Sequence, residues 1–196
     1  MKGIYVAGVS CEPERLVKEP ILCNCALNYK EKDIYDFSEW KNVGLNEKFD
    51  TIVDLAGGGW LRLLEQSKTV AGRKLQVVKP SREGGRYLTL TPDTAHFELN
   101  SIWGALKLFL FVPLFRAMSS RFSKRANLPA FTYATLDNDA KIMNETLKLA
   151  SEKKLKAVID NRGPFEFTTD GVQKAFKVKD SRHVHGKVVI SIPKSK

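Results

Sequence analysis

The sequence predicts an α/β fold with a mostly parallel sheet, and three observations carry that expectation. Short apolar, β-branched runs alternate with helical segments along the whole chain. One of these runs, FDTIVDL, ends in the three consecutive glycines Gly57, Gly58 and Gly59. The last quarter gives a strand, a helix and a strand in succession. With 196 residues the chain can bury a sizeable core, in one domain or one and a fraction.

Taken in order, Ile4 to Val9 has the pattern of a strand buried on both faces. CEPERLVKE follows as a short helix, with Pro13 near its start and Glu12 and Glu14 in the first turn, where they complement the helix dipole. CALNY is a second strand. KEKDIYDFSEWKNVG is a polar helix or loop that turns Phe37 and Trp40 inward, and FDTIVDLAGGG is a buried strand running into glycine. WLRLLEQS is a weak helix, followed by a basic loop, GRKLQVVKPSREGG. RYLTLTP is a strand stopped by Pro92, and LPAFTYATL is another. DNDAKIMNETLKLASEKKL reads as an amphipathic helix with Asp137 at its N-cap. In the tail, KAVID and HGKVVISI are strands around the helix TDGVQKAFKV.

Between these elements lies the most apolar stretch, from Ile102 to Phe115, with the single charge Lys107. Arg116, Arg121, Lys124 and Arg125 follow it. It is short for a membrane span, which takes ~20 apolar residues, and Pro113 interrupts it. Two readings stay open: a core or lid helix, or an interfacial helix with a basic flank.

The formal charge of +10 favours anionic partners of some kind: nucleic acid, acidic lipid or a phosphorylated cofactor. No recognisable nucleic-acid-binding module accompanies the charge, so no nucleic-acid partner is expected. Cys11, Cys23 and Cys25 are odd in number, and Cys23 and Cys25 are one residue apart. That spacing suits reduced thiols of an intracellular protein better than a zinc knuckle. The histidines, His96, His183 and His185, come with no ligand cluster, so no metal is expected. Neither G-x-G-x-x-G nor a P-loop is present.

Two stretches are candidates for ligand contact. Val53 to Gly59 is a strand ending in glycines, either a tight turn or the close backbone approach used by ligands beyond the carboxyl ends of a parallel sheet. GVSCEPER ends a strand in Ser10 and Cys11, with Arg15 and Lys18 one or two helical turns on. An acid at that point would suit ribose hydroxyls. A small polar residue with cations suits a 2′-phosphate, though a solvated helix face is an equal reading.

Four segments carry a resemblance to a known family. These are ALNYKEKD, FDTIVDLAGG, GGRYLTLTP and, above all, KLKAVIDNRGPFEFTTDGVQKAFKVKDSRHVHGKVVISI. In this order they resemble the carboxyl-terminal part of the medium-chain dehydrogenase/reductase superfamily. The nearest branch is the zinc-free quinone oxidoreductases, especially the reticulon-interacting mitochondrial oxidoreductase group. The resemblance implies an incomplete Rossmann-type sheet, lacking its first strand and glycine-rich turn. It divides the chain into a partial NADP-binding domain, residues 1–153, and a returning tail of a GroES-like catalytic domain, residues 154–196. With the first and central strand missing, the sheet is expected to be split.

It further implies NADPH as cofactor and hydride transfer to a small quinone or enone acceptor. Ser10, Arg15, Lys18 and Tyr29 would hold the 2′-phosphate and adenosine ribose. Leu55, Ala56 and Gly57 would lie beside the adenine and ribose. Thr89, Leu90 and Thr91 would sit near the nicotinamide, with Phe131 and Tyr133 from the next strand. No catalytic residue is assigned. An intracellular compartment, mitochondrial or cytoplasmic, is expected, with a homodimer as the candidate assembly. The alternative is a non-catalytic module that binds a membrane or a protein through residues 102–125.

Overall fold

A computed structural model describes residues 4–18, 21–91, 101–122, 127–134, 139–181 and 184–193. It divides into two compact units, residues 1–136 and 137–196. This division follows packing, whereas the one at 153/154 followed ancestry.

In the first unit β1 (Ala7–Ser10) pairs in parallel with β2 (Cys25–Asn28), Ser10 opposite Asn28. A separate sheet joins β3 (Thr51–Asp54), β4 (Arg86–Thr89) and β5 (Ala130–Tyr133) in that order, all parallel. The α/β class and the split sheet are as expected. Helices α1 (Pro13–Val17), α2 (Phe37–Asn42), α3 (Gly59–Ser67) and α4 (Val70–Leu75) make the connections.

Each sheet rests on its own cluster. Trp60 and Leu63 of α3 pack with Val78, Tyr87, Leu128 and Phe131 beneath β3–β5. The Trp60 and Phe131 rings meet edge to face at 4.8 Å, a geometry that adds to simple burial. Trp40 packs with Cys25, Leu27, Leu45 and Val77 under the smaller sheet. Asp36 caps α2 by accepting the Ser38 amide, and the Trp40 indole donates to the Ile34 carbonyl at 2.9 Å. Phe37 is partly buried against this cluster, so the inward placement of both aromatics holds.

Several expectations are corrected. Ile4 to Val9 is not buried on both faces: Ile4 is 88% exposed, and Val6 and Val9 are exposed too. In β3 only the side of Ile52 and Asp54 faces the core, and Val53 is exposed. Both strands have one uncovered face among the described residues. The basic loop is only partly a loop. It begins inside α4, and Gln76, Val77 and Val78 are fully buried, with a parallel bridge from Phe49 to Val78. Gln76 ties this segment inward by donating to the Leu63 carbonyl at 3.1 Å.

The apolar stretch is helical through Pro113: α5 (Ile102–Leu106), a π-turn (Lys107–Phe111) and α6 (Val112–Phe122) run on without a break. Proline lacks an amide hydrogen and its ring clashes with the carbonyl four residues back, and the wide turn just before it absorbs both. The reading as a core helix is overturned, because Ser120 is the one residue of 101–120 that is buried.

In the second unit α7 (Ala140–Ser151) is capped by Asp139, which accepts the Lys141 amide. Asp137, the expected cap, lies outside the described residues, as do Pro92, His96, Lys124, Arg125 and His183. KAVID contributes one bridge, Ile159 to Lys187, and no strand. The parallel pair there is β6 (Phe165–Glu166) with β7 (Ile190–Ser191), joined by α8 (Thr169–Asp180). Asp160, 1% exposed, organises this unit. It takes Arg162 in a bidentate pair at 2.7 and 2.8 Å and the His185 amide at 2.8 Å.

Candidate functional site

The parallel strands of the first unit end in Ser10, Asn28, Asp54, Thr89 and Tyr133, and ligands of such sheets bind beyond those ends. The register brings Ser10 level with Asn28, so Tyr29 follows on the same edge, exposed to solvent. The Ser10 hydroxyl accepts the Glu12 amide at 3.1 Å. Arg15 reaches back to the Glu12 carboxylate at 3.2 Å. Lys18, exposed, closes α1 in extended backbone. Ser10, Arg15 and Tyr29 thus lie toward the carboxyl end of the β1–β2 pair, with no acid at the strand end itself. Helix α1 runs back from that end, the Leu16 carbonyl accepting the Cys23 amide, so Lys18 lies toward the opposite end and is not brought to this group.

Across the second sheet, Asp54 decides the form of the glycine turn. Its Oδ1 accepts the amides of Ala56 and Gly57 at 3.0 and 2.8 Å, and its Oδ2 accepts that of Gly59 at 3.1 Å. Tyr87, from the adjacent strand, donates its hydroxyl to the same Oδ2. Gly57 and Gly58 have φ of +84° and +87°, which side-chain-bearing residues rarely adopt. A Cβ on Gly59 would stand 2.0 Å from the Tyr35 hydroxyl and 2.7 Å from Asp54 Oδ2. Burial, then the Asp54 carboxylate, raises the Tyr87 and Tyr35 hydroxyls well above the ordinary tyrosine value. Asp54, Tyr35 and Tyr87 were missed in the sequence, where the signal was an acid three residues before a glycine run.

At the end of β4, Thr89 is buried. Its hydroxyl donates to the Thr91 carbonyl and accepts the Thr91 amide. The Thr91 hydroxyl is itself buried without a hydrogen-bond partner among the described residues. Leu90 lies between them, half-buried. Tyr133 stands level with Thr89 on β5. Phe131 is different. It is 2% exposed, against Trp60 and Tyr87, with the Arg116 guanidinium over its ring, so it supports the site from below.

The sequence matches the zinc-binding dehydrogenases over residues 25–190. The chain belongs to that family. A comparison with curated proteins gives no match. Membership places the chain in the medium-chain dehydrogenase/reductase superfamily, as an oxidoreductase-type domain with nicotinamide dinucleotides as its cofactor class. Among the described residues no three His, Cys, Asp or Glu side chains are grouped to hold a metal ion.

The residues in hand fit a dinucleotide at two of its three parts. Ser10 with Arg15 beyond it suits a ribose or its phosphate, and the buried Thr91 hydroxyl suits a polar group at the other end. In the glycine turn the amides of Ala56, Gly57 and Gly59 already serve Asp54, which takes these three donors away from a pyrophosphate.

Proposed function

We propose that the chain is the nucleotide-binding part of an NADPH-dependent reductase of the quinone oxidoreductase branch, acting on a small quinone or enone. The observation that carries this reading is the end of β1, where a serine hydroxyl and the Arg15 guanidinium one helical turn on stand in place of an acid. Arg15 is held there by an exposed pair with Glu12, and such pairs are weak, at ~1 kcal/mol or less. A phosphate dianion offers a stronger charge-assisted partner and displaces it.

When bound, the nicotinamide supplies the hydride. The chain's own part is to bind and orient. Ser10, Arg15 and Tyr29 hold the phosphorylated ribose, Leu55 to Gly57 flank the adenosine, and Thr89 to Thr91 with Tyr133 meet the nicotinamide end. The net charge of +10 draws the polyanion in.

Titration of tryptophan emission with NADPH and NADH tests this, Trp60 lying directly after the glycine turn. The expected result is saturation by NADPH at lower concentration than by NADH, with the preference lost in Ser10→Glu. No saturation by NADPH even at millimolar concentration overturns the proposal. A second reading, a non-catalytic module working through residues 102–125, is favoured by the exposure of that helix.

A further inference from the structure

The helix from Ile102 to Phe122 presents two distinct sides. Ile102, Leu106, Leu110, Leu114 and Met118 are all exposed, and Trp103 and Phe115 beside them are 76% and 73% exposed. Spaced four apart in an ordinary α-helix, the first five would drift around the axis by about 40° per step. The π-turn at Lys107–Phe111 takes one extra residue and cancels much of that drift. The five therefore run along one side as a continuous apolar stripe. Ala105, Leu108, Val112, Ala117 and Ser120 form the opposite, more buried side. There Ala117 packs on the core cluster, and the Ser120 hydroxyl accepts the Phe131 amide at 3.1 Å.

Charge says what the stripe meets. From residue 99 to residue 136 the sequence has five cations, Lys107, Arg116, Arg121, Lys124 and Arg125, and no Asp or Glu. An apolar stretch whose only charges in the sequence are cations is complementary to a bilayer of anionic lipids. At 19 residues, Ile102–Ser120 is long and apolar enough to cross a membrane by length and composition. Its attachment to β5 argues for another placement: a span would have to tear Ala117 and Ser120 from the sheet.

We propose that this helix lies in the plane of an anionic membrane surface, its stripe sunk among the acyl chains and the exposed Lys107 at the headgroups. The chain is then a peripheral membrane protein, whether or not it binds a nucleotide, and apolar acceptors dissolved in the bilayer come within its reach.

The test uses the full chain and vesicles of phosphatidylcholine with about one-third phosphatidylserine, against phosphatidylcholine alone. The chain is expected to sediment with the anionic vesicles, less so as salt rises. Trp40 and Trp60 are 3% and 2% exposed, so quenching by lipids brominated on their acyl chains reports on Trp103. Quenching is expected, and Trp103→Phe should remove it. The double variant Leu110→Glu, Leu114→Glu changes two exposed residues and should lower vesicle binding by about tenfold or more. An absence of both sedimentation and quenching overturns the proposal. So does a dimer in sedimentation velocity that this variant dissociates while vesicles capture nothing, since a second copy then covers the stripe. The nucleotide titration is unaffected by either result.

Discussion

Tyr87 donates its hydroxyl to Asp54 across the β3–β4 pair, joining the aromatic core to the glycine turn. The same carboxylate takes three backbone amides from that turn, so one buried side chain fixes both the turn's shape and the direction of its N–H groups.

Removing the charge should therefore loosen the turn. Asp54→Asn replaces one acceptor oxygen with a donor facing other donors, and is expected to cost about 1–3 kcal/mol in urea unfolding. Amide exchange at Ala56, Gly57 and Gly59 should quicken. Unchanged stability and exchange would refute this account of the turn.

Tyr87 and Tyr35 also set an alkaline limit. Their hydroxyls titrate higher in the folded protein than the ordinary value of about 10, because of burial and the nearby Asp54. Above pH ~10 the unfolded chain loses protons that the folded chain keeps, so stability falls as pH rises further. Below that value their contribution is fully present. Tyr87→Phe should lower stability at neutral pH by about 1 kcal/mol or more yet flatten the decline at high pH. Equal alkaline slopes for the two proteins would rule the mechanism out.

Gly59→Ala inserts a methyl group against the Tyr35 hydroxyl and Asp54. Overpacking of this kind costs about 1–3 kcal/mol. Gly44→Ala, at a φ of +94° but with open space around its Cβ, carries backbone strain alone and is the control. Comparison of the two midpoints in thermal unfolding separates crowding from strain.

In the second unit, Asp160→Asn should break the bidentate pair with Arg162. The expected signature is local: faster exchange at the His185 amide, with the core around Trp60 unchanged. Exchange at His185 as slow as in the native chain would show that Asp160 does not hold this segment.

Much of the fold was legible because period and punctuation are local. The strands ending at Ser10, Asn28, Asp54, Thr89 and Tyr133 each show as apolar runs, and the split sheet was implied by the family resemblance, in which the missing first strand is the central one. The cap of α7 was displaced by two residues, since two aspartates there compete for the same role. KAVID has a strand's composition, yet a single bridge is all it finds.

By itself, the sequence determined the α/β class and the charge, which depend on residue type and spacing, and through its resemblance the family and the residues proposed at the strand ends. Tertiary structure alone decided which groups are already engaged. Asp54 takes the glycine amides because folding puts β4, and with it Tyr87, beside it. Phe131 is core because Trp60 arrives from another segment. The helix after residue 102 is exposed because only Ala117, Ser120 and their neighbours find the sheet, and the π-turn keeps the rest on one side. Pairings between distant segments are set by burial and hydrogen-bond satisfaction in three dimensions, which no local pattern encodes.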